Sequence, residues 1–211
     1  MVQASPDREP PRDGAATKVA AFDFDGTIAR RDTLMPFLAS VVGWATFART
    51  ALARSPQFAK VALGHGDRDA EKEAFIGRLL AGRSAVDIAA AGAAYADALW
   101  DAQRFRPEML ERLAWHRAEG HRIVIVSASL DSYLAPLAPR LGVDHVISCS
   151  LASTDGVLTG ALVGGNVRGA EKVRRLESWL AGAPVEVWAY GDSAGDDELL
   201  AFADHPTRIG R

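Results

Sequence analysis

Lys18-Val19-Ala20-Ala21-Phe22-Asp23-Phe24-Asp25-Gly26-Thr27 is an apolar run that ends abruptly in two carboxylates and a glycine. Strand alternation would put Asp23 and Asp25 on one side, with Phe22 and Phe24 on the other face or in the core. Similar apolar runs recur at Arg122 to Val126, His145 to Cys149 and Val185 to Tyr190. Stretches of helical length lie between them: Pro107 to Glu119, with Pro in the first turn and Gly120 as a stop, Leu130 to Leu141, and Gly169 to Leu180. Strands alternating with such helices need right-handed crossovers and a parallel sheet, which predicts a layered α/β fold.

The stretch from Thr33 to Phe105 interrupts this alternation and carries no strand signal. Its Ala-rich segment Ala85 to Leu99, and the spacing of Leu34, Phe37, Leu38, Val41 and Val42, fit helices packed on one another. An insertion after the first strand lies at the carboxyl edge of the sheet, where α/β sheets bind ligands, and would act as a cap. The expected organisation is a flexible tail at 1–16, a sheet domain at 17–32 and 106–211, and a helical cap at 33–105. The tail is rich in Pro and mixed charge and lacks the apolar run of about 7–15 residues that a signal peptide requires.

Bulk composition narrows the chemistry only by exclusion. Of 211 residues, 48% are hydrophobic and 24% charged, the formal net charge is −3, and one is Cys. Those proportions exclude fibrous and wholly disordered classes. A single Cys makes no internal disulfide and suits a reducing compartment, so a cytoplasmic location is expected. Without clustered Lys and Arg in a basic tail, nucleic acid is not an expected partner.

Two acids at a strand end are costly to bury unless a cation shares the site, so a metal is their natural partner. An Asp-Gly pair by itself also marks an ordinary turn. The second strand ends at the same sheet edge in Ser127-Ala128-Ser129. Ser127 closes the apolar run and is the candidate phosphate contact; Ser129, just before Leu130, fits a helix N-cap. Lys172 falls in the first turn of a helix, where the dipole disfavours a cation, so it points to a local anion, although a solvated surface position also fits. Trp188 to Asp197 repeats the strand-then-acid pattern at Asp192, while Asp196 or Asp197 could cap the last helix.

In order, Asp23-x-Asp25-Gly26-Thr27, Ser127, Lys172 and Gly191-Asp192-Ser193-x-x-Asp196 resemble the four motifs of the haloacid dehalogenase (HAD) superfamily, over about Lys18 to Asp204. The long helical insertion resembles the cap of its phosphoserine-phosphatase-like branch, subfamily IB. Asp32-Thr33-x-x-Pro36-Phe37-Leu38, and Tyr190 to Ser193 through Asp204-His205-Pro206, look closest to the phosphatidylglycerophosphatase C group. The resemblance implies a HAD-type, Rossmann-like sheet and magnesium-dependent hydrolysis of a phosphomonoester through an aspartyl-phosphate. Asp23 would be the nucleophile and Asp25 the general acid that turns general base. Magnesium would be held by Asp23, the backbone carbonyl of Asp25 and Asp192. Ser127 and Lys172 would bind the phosphate, and Asp196 would orient Lys172 or a metal-bound water. An acid at position 25 separates this pattern from family ATPases, which have Thr there, and from dehalogenases, which lack it.

Between Thr33 and Gly66 there is no Asp or Glu; Arg49, Arg54 and Lys60 are the charges among many Leu, Val, Phe and Trp residues. Such a face suits an anionic membrane surface, and would place the protein peripherally at the inner face, with a lipid or prenyl phosphate as substrate. The simpler expectation is that these apolar residues form the core of a small cap. A small-metabolite phosphatase, such as a phosphoserine phosphatase, and a catalytically inactive interaction module are the alternatives. Retention of all six motif residues opposes the latter. His65 and His121 read as loop or surface positions, and Cys149 as a small core residue. Asp155 to Gly160 reads as a hairpin. Thr207 to Ile209 is short for a strand, which leaves a fifth strand minimal or that edge covered by a partner, and the oligomeric state open.

Overall fold

The computed structural model describes residues 17–183 and 185–210, so the tail expected at 1–16 lies outside it. Strand β1 (Thr17–Phe22) is followed by α1 (Leu34–Val42), α2 (Trp44–Ala53), α3 (Ser55–Ala62), α4 (Arg68–Leu80) and α5 (Ala85–Asp101). Then come α6 (Pro107–Ala118), β2 (Arg122–Leu130), α7 (Asp131–Leu141), β3 (His145–Cys149), β4 (Leu151–Thr154) and β5 (Val157–Leu162). Finally α8 (Ala170–Leu180), β6 (Val185–Gly191), α9 (Asp197–Phe202) and β7 (His205–Arg208) complete the chain.

Five strands form a parallel sheet in the order β3-β2-β1-β6-β7. The chain starts in the middle, moves out through β2 to β3, and returns to the other side of β1. The order therefore reverses at β1, and the crevice outside its carboxyl end is where such sheets hold ligands. Val19 to Phe22 and Ile123 to Val126 are fully buried, because helices cover both faces of the sheet. The expected hairpin exists as β4–β5, paired apart from the main sheet.

The helical insertion leaves and rejoins the sheet at one place. Arg30 N donates to Arg104 O (3.0 Å) and Arg106 N to Ile28 O (2.9 Å). Helix α1 buries Leu34, Phe37 and Leu38. Helices α2 and α3, in contrast, bury none of their residues. Phe47, Ala51 and Phe58 are partly buried against the core, while Trp44, Leu52 and Leu63 are 68%, 75% and 73% exposed, so the core packing expected of this stretch holds for α1 and only in part for α2 and α3.

Two local readings are corrected. Strand β2 runs past Val126 to Leu130, and its pairing with β3 breaks register between those residues, so Ser127 to Ser129 bulge from the ladder. Leu130, not Ser129, is the N-cap of α7, and it makes no side-chain cap bond. His121 is buried rather than at the surface: its Nδ1 lies 2.7 Å from His116 Nδ1, and His116 Nε2 lies 2.9 Å from Tyr190 Oη. Gly120 makes the turn outside, but the next side chain folds under α6. At the far edge, β7 is the minimal fifth strand.

Candidate active site

Three neighbouring strands deliver the chemistry. Asp23 follows β1, Ser127 lies in the bulge of β2, and Asp192 follows β6. Asp23 N donates to Tyr190 O (2.9 Å), which carries the β1–β6 pairing one residue further and fixes the start of the turn. Lys172, in the first turn of α8, reaches in from below. Asp23, Asp25, Ser127, Lys172, Asp192 and Asp196 all line one cavity of about 710 Å³.

Gly26 shows why the turn carries glycine. Its φ is +85°, and a Cβ there would stand 2.4 Å from Asp192 Oδ2. Any side chain would displace a carboxylate of the site as well as strain the backbone.

Lys172 is 2% exposed and donates to Asp23 Oδ1 (2.5 Å) and Asp196 Oδ1 (2.6 Å). Burial works against its charge, but the two carboxylates outweigh that and hold its pKa above the usual lysine value. Burial is also the largest influence on Asp23, whose pKa is raised to about 6 even beside Lys172. Asp196 goes the other way: burial is outweighed by Lys172 and by the N–H and hydroxyl of Ser193 (3.0 and 2.8 Å), which hold it below the normal carboxylate range. Asp196 thus bonds Lys172 directly, and also closes a capping box at the turn from Ala194 to Asp196.

Asp23, Asp192 and Asp196 each offer an oxygen within 4.8 Å of the others. Both Asp196 oxygens are already taken by Lys172 and Ser193, which leaves Asp23 and Asp192 as carboxylate donors of the hard kind that magnesium prefers, so these residues fit the ion expected there. Asp25 is not in that side-chain group. Its carboxylate turns toward the insertion and accepts the N–H (2.8 Å) and hydroxyl (2.6 Å) of Thr33 and the hydroxyl of Ser129. Burial and nearby Asp32 push its pKa up to about 7, against the pull of those hydrogen bonds. A carboxyl group so placed can carry a proton at neutral pH.

Thr33 and Ser129 therefore belong to the site, although sequence reading assigned Ser129 a capping role and Thr33 none. Thr33 does stand at the N-cap of α1, yet makes no cap bond there. Its hydroxyl also lies 3.0 Å from Tyr133 Oη, and its carbonyl accepts from Tyr95 Oη (3.0 Å). Ser127 is 1% exposed, and its Oγ accepts the N–H of Ser129 (3.2 Å). Above this polar floor the cavity is walled by Leu34, Met35, Phe58, Val61 and Phe75 from the insertion, with Arg31, Arg68 and Arg168 also lining it.

A family profile described as haloacid dehalogenase-like hydrolase matches residues 20–201. Protein CicA of Caulobacter vibrioides is 36% identical over 188 residues, spanning 88% of this chain and 83% of that protein. Phosphoserine phosphatase SerB1 of Mycobacterium tuberculosis is 28% identical, over 96% of this chain and 67% of that protein. Among solved structures, a Bordetella pertussis Tohama I protein of unknown function superposes with a TM-score of 0.75 at 24% identity, covering 92% of this chain and 90% of the other. A phospho-aspartyl intermediate analogue of a phosphoserine phosphatase gives 0.61 at 19%, covering 90% and 84%. Fold, motif order and sequence agree: the chain belongs to the haloacid dehalogenase-like hydrolases.

Proposed function

We propose that the protein is a magnesium-dependent phosphomonoester hydrolase that works through an aspartyl-phosphate on Asp23, and that its leaving group is apolar, as in a lipid or prenyl phosphate. The observation that carries the chemistry is the buried triad of Asp23, Lys172 and Asp196 beside Asp192 and a separately held Asp25. An Asp23 oxygen attacks phosphorus while Asp25 protonates the departing oxygen, so the substrate P–O bond breaks as the Asp23–P bond forms. Asp25, now ionised, takes a proton from the water that attacks phosphorus, and the Asp23 carboxylate leaves with phosphate released. Ser127 and Lys172 donate to the non-bridging oxygens throughout. Asp23, the Asp25 carbonyl and Asp192 would hold magnesium, whose charge offsets the repulsion between a carboxylate and a phosphate anion.

The helical insertion acts as the cap in this reading and supplies the substrate preference. Met35, Phe58, Val61 and Phe75 offer an apolar wall, in a cavity large for a phosphate on a three-carbon amino acid. The exposed Trp44, Leu52 and Leu63, with Arg49 and Lys60 exposed on α2 and α3, suit a peripheral contact with an anionic bilayer. The phosphoserine phosphatase relatives favour a second reading, a soluble phosphorylated metabolite.

Phosphate release from an aryl phosphate, phosphoserine, sugar phosphates, lysophosphatidate and phosphatidylglycerol phosphate, with and without anionic vesicles, separates these. Magnesium-dependent turnover favouring the lipid phosphates and rising with vesicles is expected. A preference for soluble substrates with no vesicle effect removes the lipid reading. Retained turnover in Asp23→Asn removes the nucleophile assignment, and turnover on no substrate favours an inactive interaction module.

A further inference from the structure

We infer that Lys72, on helix α4 of the insertion, is a positioning residue for the phosphate-binding bulge of β2, acting through the peptide that joins Ala128 to Ser129. The inference rests on the phosphatase reading for its kinetic consequence, and on geometry alone for its structural one.

Lys72 crosses from the insertion to the sheet. Its Nζ donates to the carbonyl of Ala128 and to Asn166 Oδ1 (2.8 Å). Asn166 in turn donates to Asp69 Oδ1 (2.8 Å), one turn earlier on the same helix, so the contact is held at two points. The Ala128 carbonyl lies in the segment where β2 and β3 lose register, and therefore lacks the regular ladder that fixes other strand peptides. Its other donor is the thiol of Cys149 (3.3 Å), a weak one. A charge-assisted bond from Lys72 is the stronger restraint.

The consequence follows from peptide planarity. The carbonyl of Ala128 and the N–H of Ser129 belong to one trans peptide and point in opposite directions, so fixing one aims the other. That N–H donates to Ser127 Oγ (3.2 Å). With an acceptor position of the hydroxyl filled, its hydrogen is free to be donated into the cavity, toward a phosphoryl oxygen. Ser129 also carries the hydroxyl that holds Asp25. One lysine of the insertion thus sets both the phosphate donor and the support of the general acid, without needing to touch the reacting atoms. Two features keep α4 where this requires. Glu73 Oε1 accepts the N–H of Leu162 (2.9 Å), and Gly77 packs so closely on β5 that a Cβ there would lie 2.6 Å from Gly160 O.

The test compares Lys72→Met, which keeps the stem and loses the donor, with Lys72→Arg, which keeps a charged donor. On an aryl phosphate, Lys72→Met is expected to lower kcat about 10- to 100-fold, with KM changed less than about threefold, and Lys72→Arg to recover most of the loss. In parallel, amide hydrogen exchange at Ser129, followed by NMR without any substrate, is expected to accelerate at least about tenfold in Lys72→Met and less in Lys72→Arg. Thermal melting establishes that each variant is folded, and if Lys72→Met is not, Lys72→Gln takes its place. An unchanged Ser129 amide, or a loss confined to KM, overturns the inference. A wild-type protein with no phosphatase activity defeats the functional reading instead, and the exchange comparison then decides this one.

Discussion

Asp25 occupies the most constrained chemical position in the molecule. In the proposed mechanism its carboxyl is protonated to release the leaving group, yet Thr33 and Ser129 donate hydrogen bonds that favour the ionised form. Burial prevails and leaves the group near neutrality. Removing the Thr33 hydroxyl removes stabilisation of the anion only, so the pKa should rise further. We expect Thr33→Val to move the alkaline decline of single-turnover phosphoenzyme formation upward by roughly half a unit to one unit. A shift downward would show that the hydroxyl supports the protonated form instead. Neither Thr33 nor Ser129 was legible as a partner of Asp25, because each precedes a helix and matches the residue types that cap helix starts. The contact that redefines Ser129 spans 104 positions of sequence, beyond any local pattern. Asp23, Ser127, Lys172 and Asp192 were legible for the opposite reason. Each sits at the end of an apolar run or in the first turn of a helix, and the sheet collects those ends at one edge.

Among elements, the α6–β2 corner carries a buried polar chain that the sequence pattern concealed. His116, His121 and Tyr190 are joined by hydrogen bonds beneath the sheet, and Phe22 stacks on Tyr190 with ring centroids 4.4 Å apart. The chain therefore backs directly onto the two strands that present Asp23 and Asp192. Burial, helped by the second imidazole, lowers the His116 pKa from 6.5 to about 4. Unfolding in that window takes up a proton that the folded protein refuses, so stability falls as pH drops from about 6.5 to about 4 and is insensitive to this group above that range. His116→Phe should reduce the proton uptake on unfolding between pH 4 and 6.5 by about one, read from the pH dependence of denaturant midpoints. An unchanged uptake would place the titration elsewhere. The strands β1, β3 and β6 and the helices α6, α7 and α8 of the sheet domain were read to within a residue or so at each end, and the helices within 33–105 only as a helical stretch. Buried parallel strands and amphipathic helices leave strong periodic signals. The bulge at Ser127 to Ser129 left none, being a property of pairing between strands.

Across the whole molecule, the insertion divides into a deeply packed part and a shallowly packed one. Helix α5 meets α7 so closely that a Cβ on Gly92 would stand 2.1 Å from Ser132 O, and α4 meets β5 through Gly77 and Gly160. Helices α2 and α3 have no fully buried residue and are joined to α4 chiefly by Arg54 and Glu71 and by aromatic contacts of Phe47 and Phe58 with Phe75. Backbone amides of α2 and α3 should exchange at least about tenfold faster than those of α4 and α5. Equal protection would mean that the insertion moves as one body. The apolar stretch at 33–66 was legible as unusual, but composition could not say which of its residues face inward, as Phe37 and Leu38 do, and which outward, as Trp44, Leu52 and Leu63 do.

The last strand answers a different question. Strand β7 is four residues long with all four exposed, carries Pro206 opposite Ala189, and ends in an Arg208 tied to Ser193 O (3.1 Å) and Asp197. Proline removes a donor from the outermost strand, and the short, charged edge gives an incoming chain little to pair with. The composition of this edge thus works against edge-to-edge association of the sheet, the route by which small parallel sheets aggregate.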